Sequence, residues 1–123
     1  MMKQSIVEDI LPGSIMKPVQ KGWHARGKNA YIVHDILTKE LLLSTKLSVV
    51  ANYLNQQARH PQEYVSVRGL YEAADKRCGY TKGLHKMRYR ISTCDLAKSH
   101  LVFQQQAYKA GVERAAVITE VMG

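Results

Sequence analysis

The chain has 123 residues, is 46% hydrophobic, and carries 18 Lys and Arg against 10 Asp and Glu, a formal net charge of +8. That length fits one domain with a single core, and the apolar content excludes a disordered tail. No apolar run approaches the about 20 residues of a membrane span, and Glu8 and Asp9 interrupt any signal-peptide core near the start.

A cytoplasmic location is therefore expected. Two cysteines, Cys78 and Cys94, are too few for a disulfide scaffold. With His85 and His100 they match no close ligand pair of a structural zinc site, so neither metal nor cofactor is expected.

Residues 1–14 read as a short apolar lead-in. Ile6 and Ile10 are spaced for one helical turn, and the lead-in closes at Pro12-Gly13-Ser14. Residues 15–28 form a basic, glycine-punctuated arm with Lys21, Arg26, Lys28 and the single tryptophan, Trp23. Ala30 to Leu37 is β-branched and aromatic and reads as a strand. After a polar turn at residues 38–40, Leu41 to Thr45 reads as a second strand, completing a β-hairpin.

From Lys46 to Gln57 the pattern is helical, with Leu47, Val50, Ala51 and Leu54 on one face and Thr45 as N-cap. Pro61 breaks the chain between residues 58 and 63. Ser66 then caps a second helix, from Val67 to Arg77, with Val67, Leu70, Tyr71 and Ala74 as its buried stripe. After a loop at residues 79–83, Met87 to Ile91 alternates as a strand, with Met87, Tyr89 and Ile91 inward and Arg88 and Arg90 outward.

Asp95 to Val121 reads as helix, with Leu96, Phe103, Ala107, Ala110, Val117 and Val121 near one stripe and Gly111 kinking or dividing it. It packs on the preceding domain, or pairs with a second copy through Ala107, Ala110, Ala115 and Ala116. The expected fold is α+β: a hairpin, two short helices in a helix-turn-helix-like arrangement, a closing strand and a C-terminal helix. Its divisions are an arm at 1–28, a nucleic-acid-binding module at 29–92 and the helix at 93–123.

A basic surplus of this size creates a field that attracts polyanions, of which nucleic acid is the commonest. In two-helix readers the second helix often enters the major groove. Arg68, Lys76 and Arg77 lie on or beside that helix, Arg59 precedes it, and Lys82, Lys86, Arg88 and Arg90 follow it. Arginine matches guanine edges bidentately, and lysine suits phosphates. Lys21, Arg26 and Lys28 of the arm complete the candidate contacts, with Trp23 as a possible stacking group.

Plainer roles exist for the same residues. Arg88 and Arg90 also suit the solvated face of an edge strand, and Arg68, Lys76 and Arg77 an ordinary exposed helix face beside Glu72. Trp23, Tyr31, Tyr71 and Tyr89 suit the core, whereas Tyr64 and Tyr80 in loops are freer.

Catalysis has no visible constellation. His34-Asp35 is the only adjacent pair, and neighbours on a strand point to opposite faces. No HNH cluster, phosphate-binding glycine loop or nucleophile triad is present, so a non-enzymatic protein is expected.

Four pieces of the chain together resemble a family. They are Tyr31-Ile32-Val33-His34-Asp35, Lys46-Leu47-Ser48-Val49-Val50, Val67-Arg68-Gly69-Leu70-Tyr71-Glu72-Ala73-Ala74, and Tyr80-Thr81-Lys82-Gly83 through Tyr89-Arg90-Ile91. Their order is similar to that of the small DNA-binding modules that accompany HNH and GIY-YIG homing endonucleases, especially in bacteriophages. The resemblance spans about half the chain, with a longer connection at Ala58–Val65 than the family pattern. It implies a free-standing phage-type protein that grips DNA, duplex DNA before RNA, and carries no catalytic residue. The competing expectations are a phage effector that binds and inhibits a host nucleic-acid enzyme, and an RNA-binding accessory protein.

Overall fold

A computed structural model describes residues 5–10, 29–76 and 79–120. The fold is α+β. Its strands are β1 (Ser5–Ile10), β2 (Asn29–Asp35), β3 (Glu40–Ser44), β4 (Gly79–Tyr80), β5 (Tyr89–Asp95) and β6 (Arg114–Glu120), and its helices are α1 (Leu47–Gln57), α2 (Val67–Ala74) and α3 (Ser99–Ala110). The strands form one sheet in the order β1-β6-β3-β2-β5-β4. Every pairing is antiparallel except β3 with β6, which run parallel.

The sheet is covered on both faces, and alternation along its strands assigns each side chain to one of them. Val33, Leu42, Tyr89, Ile91, Ala116 and Ile118 face α1 and α2. Ala30, Ile32, Leu41, Leu43, Ala115 and Val117 face Phe103 and Ala107 of α3. Leu41-Leu42-Leu43 is thus an apolar run because both sides of β3 are buried. Phe103 is fully buried, and its truncation to alanine costs about 3–5 kcal/mol.

The hairpin forms where the β-branched residues place it, β2 pairing with β3 from Tyr31↔Ser44 to Asp35↔Glu40. All four residues expected on the inner face of α1 are buried, together with Val49 and Tyr53. Its N-cap is Lys46, without a side-chain cap bond. The expected Thr45 is not the capping residue, and instead Ser44 Oγ accepts from the Lys46 amide at 3.3 Å.

Ser66 does cap α2, accepting from the Gly69 amide at 3.0 Å. The helix ends at Ala74, earlier than expected, and buries Leu70, Ala73 and Ala74. Tyr71, expected in the core, is exposed and meets half-buried Tyr31 edge-on, ring centroids 5.9 Å apart.

Three further expectations are corrected. Residues 5–10 form a strand rather than a helical turn and pair with β6 along their whole length. The arginine strand starts at Tyr89, because Met87 adopts φ 59 and is exposed. The long terminal helix is α3 followed by β6. Gly111, at φ 60, is the left-handed C-cap that stops α3, and Val117-Ile118-Thr119 then favours a strand. Arg114–Glu120 lies between β1 and β3 inside the sheet, so Ala115 and Ala116 are core residues and not a surface for helix approach.

Arg114 ties these parts together. Its Nε lies 2.7 Å from Asp9 Oδ1, and its Nη1 donates to Glu40 Oε2 at 2.9 Å and Tyr53 Oη at 2.6 Å. Tyr53 in turn donates to Glu40 at 3.1 Å. The network joins β1, β3, β6 and α1 and satisfies the buried Glu40 carboxylate.

Candidate nucleic-acid interface

The connection from α1 to α2 is fixed by one side chain. Asn55 Nδ2 donates to the Val65 carbonyl at 3.0 Å, while its Oδ1 accepts from the Val65 amide at 2.8 Å. The 3-10 turn Pro61–Glu63 fills the break, and Glu63 Oε2 accepts from the Arg59 amide at 2.7 Å. The two helices are therefore held in a set relation although their connection is long. On the outer side of α2, exposed Arg68 pairs with Glu72 four residues on, at 3.2 Å.

Beyond α2 the chain returns as β4, pressed so closely on the helix that a Cβ at Gly79 would collide with the Ala73 carbonyl. The following loop is organised by buried Thr81. Its amide donates to Tyr89 O at 2.9 Å, its carbonyl accepts from Met87 N at 2.8 Å, and its hydroxyl donates to His85 O and accepts from Tyr89 N. The His85 ring reaches Tyr64 O at 3.0 Å, pinning the loop to the segment before α2.

Between α2 and this loop lies an open cleft of about 530 Å³, lined by Tyr64, Ser66, Lys76, Tyr80, Lys82 and His85 among others. Lys76 and Lys82 both line it. The neighbouring Lys82 ammonium pushes Lys76 down from its ordinary pKa, against the opposing pull of Glu72. Two neighbouring like charges lining one exposed cleft are favourable ground for an anion bridging them.

The expected contact residues fall into separate groups. Lys76, just beyond the end of α2, and Lys82 line the same cleft, with Arg68 on α2 itself and exposed Lys86 in the loop that carries Lys82. Arg59 is exposed on the α1–α2 connection. Lys21, Arg26, Lys28 and Arg77, like Trp23 and Cys78, lie outside the described residues.

Arg88 and Arg90 do not share a strand face. Arg88 precedes β5 and pairs with Asp35 through Nη2 at 3.3 Å, its guanidinium 5.0 Å from the Tyr89 ring. Arg90 lies on the sheet face that α3 partly covers, opposite His34 in the register. There it borders a second hollow of about 340 Å³ with His34, Ser92, Gln106 and Lys109. Burial first, and Arg90 second, lower the His34 imidazole below its ordinary value, with Asp35 opposing.

Sequence reasoning did not single out Lys109, nor the bracket made by Asn55. Tyr64 and Tyr80, expected to be free, are exposed at the cleft.

Among the described residues no three His, Cys, Asp or Glu side chains converge as a metal site. Burial pushes the Cys94 thiol up to about 11, which disfavours a thiolate there. His34 and Asp35 point to opposite faces, and Asp35 is engaged by Arg88. Among the described residues, no helix is long and apolar enough to cross a membrane. No family model, curated protein or solved structure matches the chain.

Proposed function

We propose that this protein binds nucleic acid, duplex DNA in preference to RNA, through the surface shared by α2 and the loop that follows β4. The carrying observation is that Lys76 and Lys82 line the same open cleft. They belong to a stretch between Asp75 and Asp95 that holds Lys76, Arg77, Lys82, Lys86, Arg88 and Arg90 and no acid. Of these, Lys76, Lys82 and Lys86 are exposed beside the cleft; phosphates neutralise such a surface, and counterion release supplies the affinity.

Arg68 stands on the outer face of a short helix fixed to α1, where it can reach a base edge once it leaves Glu72. An exposed i,i+4 pair costs only about 0.3–0.5 kcal/mol to release. The resemblance of residues 31–91 to phage endonuclease-associated modules supports the same reading. The role is binding rather than catalysis, and the separation of His34 from Asp35 supports that part.

The test is binding of the full chain to labelled duplex DNA, single-stranded DNA and duplex RNA over a salt series. Preference for duplex DNA, with steep salt dependence and measurable affinity near physiological strength, is expected. Weak, equal binding to all three that vanishes by physiological salt would remove the proposal and leave a protein-directed effector as the better account.

A second observation favours a second copy of the chain as an additional partner. Leu101 and Tyr108 of α3 are exposed and border a shallow hollow with Gln104, Gln105 and Lys109. Pairing through this face gives the two-fold arrangement common among DNA readers. Sedimentation equilibrium checks it: a dimer that Leu101→Lys converts to monomer supports it, and monomer at all concentrations removes it.

A further inference from the structure

The loop that carries Lys82 also carries an apolar side chain for which the core has no use. Leu84 is 79% exposed, and Met87, three residues on, is 56% exposed. A single exposed leucine is ordinary on a protein surface. This one differs in how it is held and in what surrounds it.

The backbone beneath it is braced at both ends. Thr81 binds the loop to Met87, His85 and Tyr89, and His85 binds it to Tyr64. Gly83–His85 forms a 3-10 turn that lifts Leu84 at its middle. Gly83 takes φ +67 at no steric cost, but Met87 takes φ 59 with a side chain, which costs energy that the bracing must offset. The leucine is thus presented on a fixed projection.

Its surroundings are cationic. Lys82 and Lys86 stand two positions to either side of Leu84, both exposed. No acid occurs between Asp75 and Asp95.

We infer that Leu84 is a wedge that enters the minor groove of bound duplex DNA and partly unstacks one base step, while Lys82 and Lys86 seat on flanking phosphates. The inference rests on the DNA-binding reading above and adds its mode. Apolar side chains inserted in this way kink the duplex, and the kink lets more of the protein reach the backbone. Flexible pyrimidine–purine steps give way most easily, so they are the expected sites. Charge complementarity is shared with an anionic bilayer. Two apolar side chains on a loop are nonetheless a weak membrane signal, since interfacial binding draws on the face of an amphipathic helix or on a lipid chain with a basic patch.

The experiment uses the full chain and a short duplex with 2-aminopurine at a central TA step and a donor–acceptor pair at its ends. The intact protein is expected to raise 2-aminopurine fluorescence and shorten the end-to-end distance. Leu84→Ala, a change at an exposed site, is expected to bind about tenfold more weakly, the scale of one lost apolar contact. At saturation it should give neither the fluorescence rise nor the bend, with the salt dependence unchanged.

Leu84→Phe, which keeps a wedge, should retain both signals. Lys82→Ala should lower the salt slope by about one phosphate and keep the fluorescence rise at saturation. A Leu84→Ala protein that still unstacks and bends the duplex would overturn the wedge and leave DNA binding intact. Absence of binding to any nucleic acid would overturn both. Binding to phosphatidylserine vesicles but not to the duplex, lost in Leu84→Ala, would overturn the wedge in favour of a membrane loop.

Discussion

Asp35 and Arg88, 53 positions apart, close an ion pair of 3.3 Å that joins the turn of the hairpin to the loop after β4. The Asp35 carboxylate is 2% exposed and also accepts from the amides of Leu37 and Thr38, so one side chain shapes the hairpin turn and anchors the basic loop.

Removing Arg88 leaves that carboxylate buried with backbone donors alone. Arg88→Ala is expected to cost about 2–3 kcal/mol, somewhat below the range for a wholly buried pair because the arginine is partly exposed. Asp35→Asn combined with Arg88→Met should recover most of the loss, since both charges disappear together. Urea denaturation of the single and double variants measures both.

Arg114 offers a parallel test at the other side of the sheet. Arg114→Ala strips the buried Glu40 carboxylate of a charged donor and leaves Tyr53 as its neutral one. A loss of about 2 kcal/mol is expected, again by denaturant unfolding. Asp9→Ala should cost well under 1 kcal/mol, because that branch of the network is exposed.

His34 sets a pH dependence. Its folded-state pKa is lowered from 6.5, chiefly by burial and next by Arg90. The unfolded chain therefore binds the proton more readily than the folded one. This contribution to stability is complete above about 6.5 and is lost as pH falls through the lower folded value. His34→Gln should flatten that part of the stability profile. Arg90→Ala should move the His34 titration upward in an NMR experiment, but not fully to 6.5, because burial remains.

The cleft lysine Lys82 and the helix arginine Arg68 should separate in binding. Lys82→Ala is expected to lower the salt slope by about one and weaken all sequences alike. It should also return the Lys76 ammonium toward its ordinary value. Arg68→Ala should relax sequence preference instead. A selection of bound sequences by each variant, run beside salt titrations, distinguishes the two.

The parts legible in the sequence are those with a local cause. The hairpin follows from β-branched residues around a polar turn, α1 from its apolar spacing, and the start of α2 from Ser66. β6 was hidden because it is buried on both faces, so Ala115 to Ile118 shows no alternation and continues the apolar stripe of α3. Gly111 held the stop signal, but the residues after it gave no polar face to contradict a helix.

At the interface the sequence displayed the amount of positive charge and its concentration after α2. The arrangement was not legible, because one left-handed residue, Met87, displaces Arg88 from the strand on which Arg90 sits. The partners that then claim Arg88 and Arg114 are far away in the chain and leave no local pattern.

The position of β6 between β1 and β3 also bears on how the protein is made. On the ribosome, β2, β3 and β5 emerge before Arg114–Glu120, yet β3 is bordered on one side by that later segment. Until it is synthesised, the nascent β3 presents an open edge of unpaired amides and carbonyls beside three leucines. β1 precedes the other described strands and waits longest, because among the described residues its partner strand is β6. Sheet closure is thus a late event of translation, and a ribosome stalled upstream of residue 114 would hold an incomplete sheet with an aggregation-prone margin.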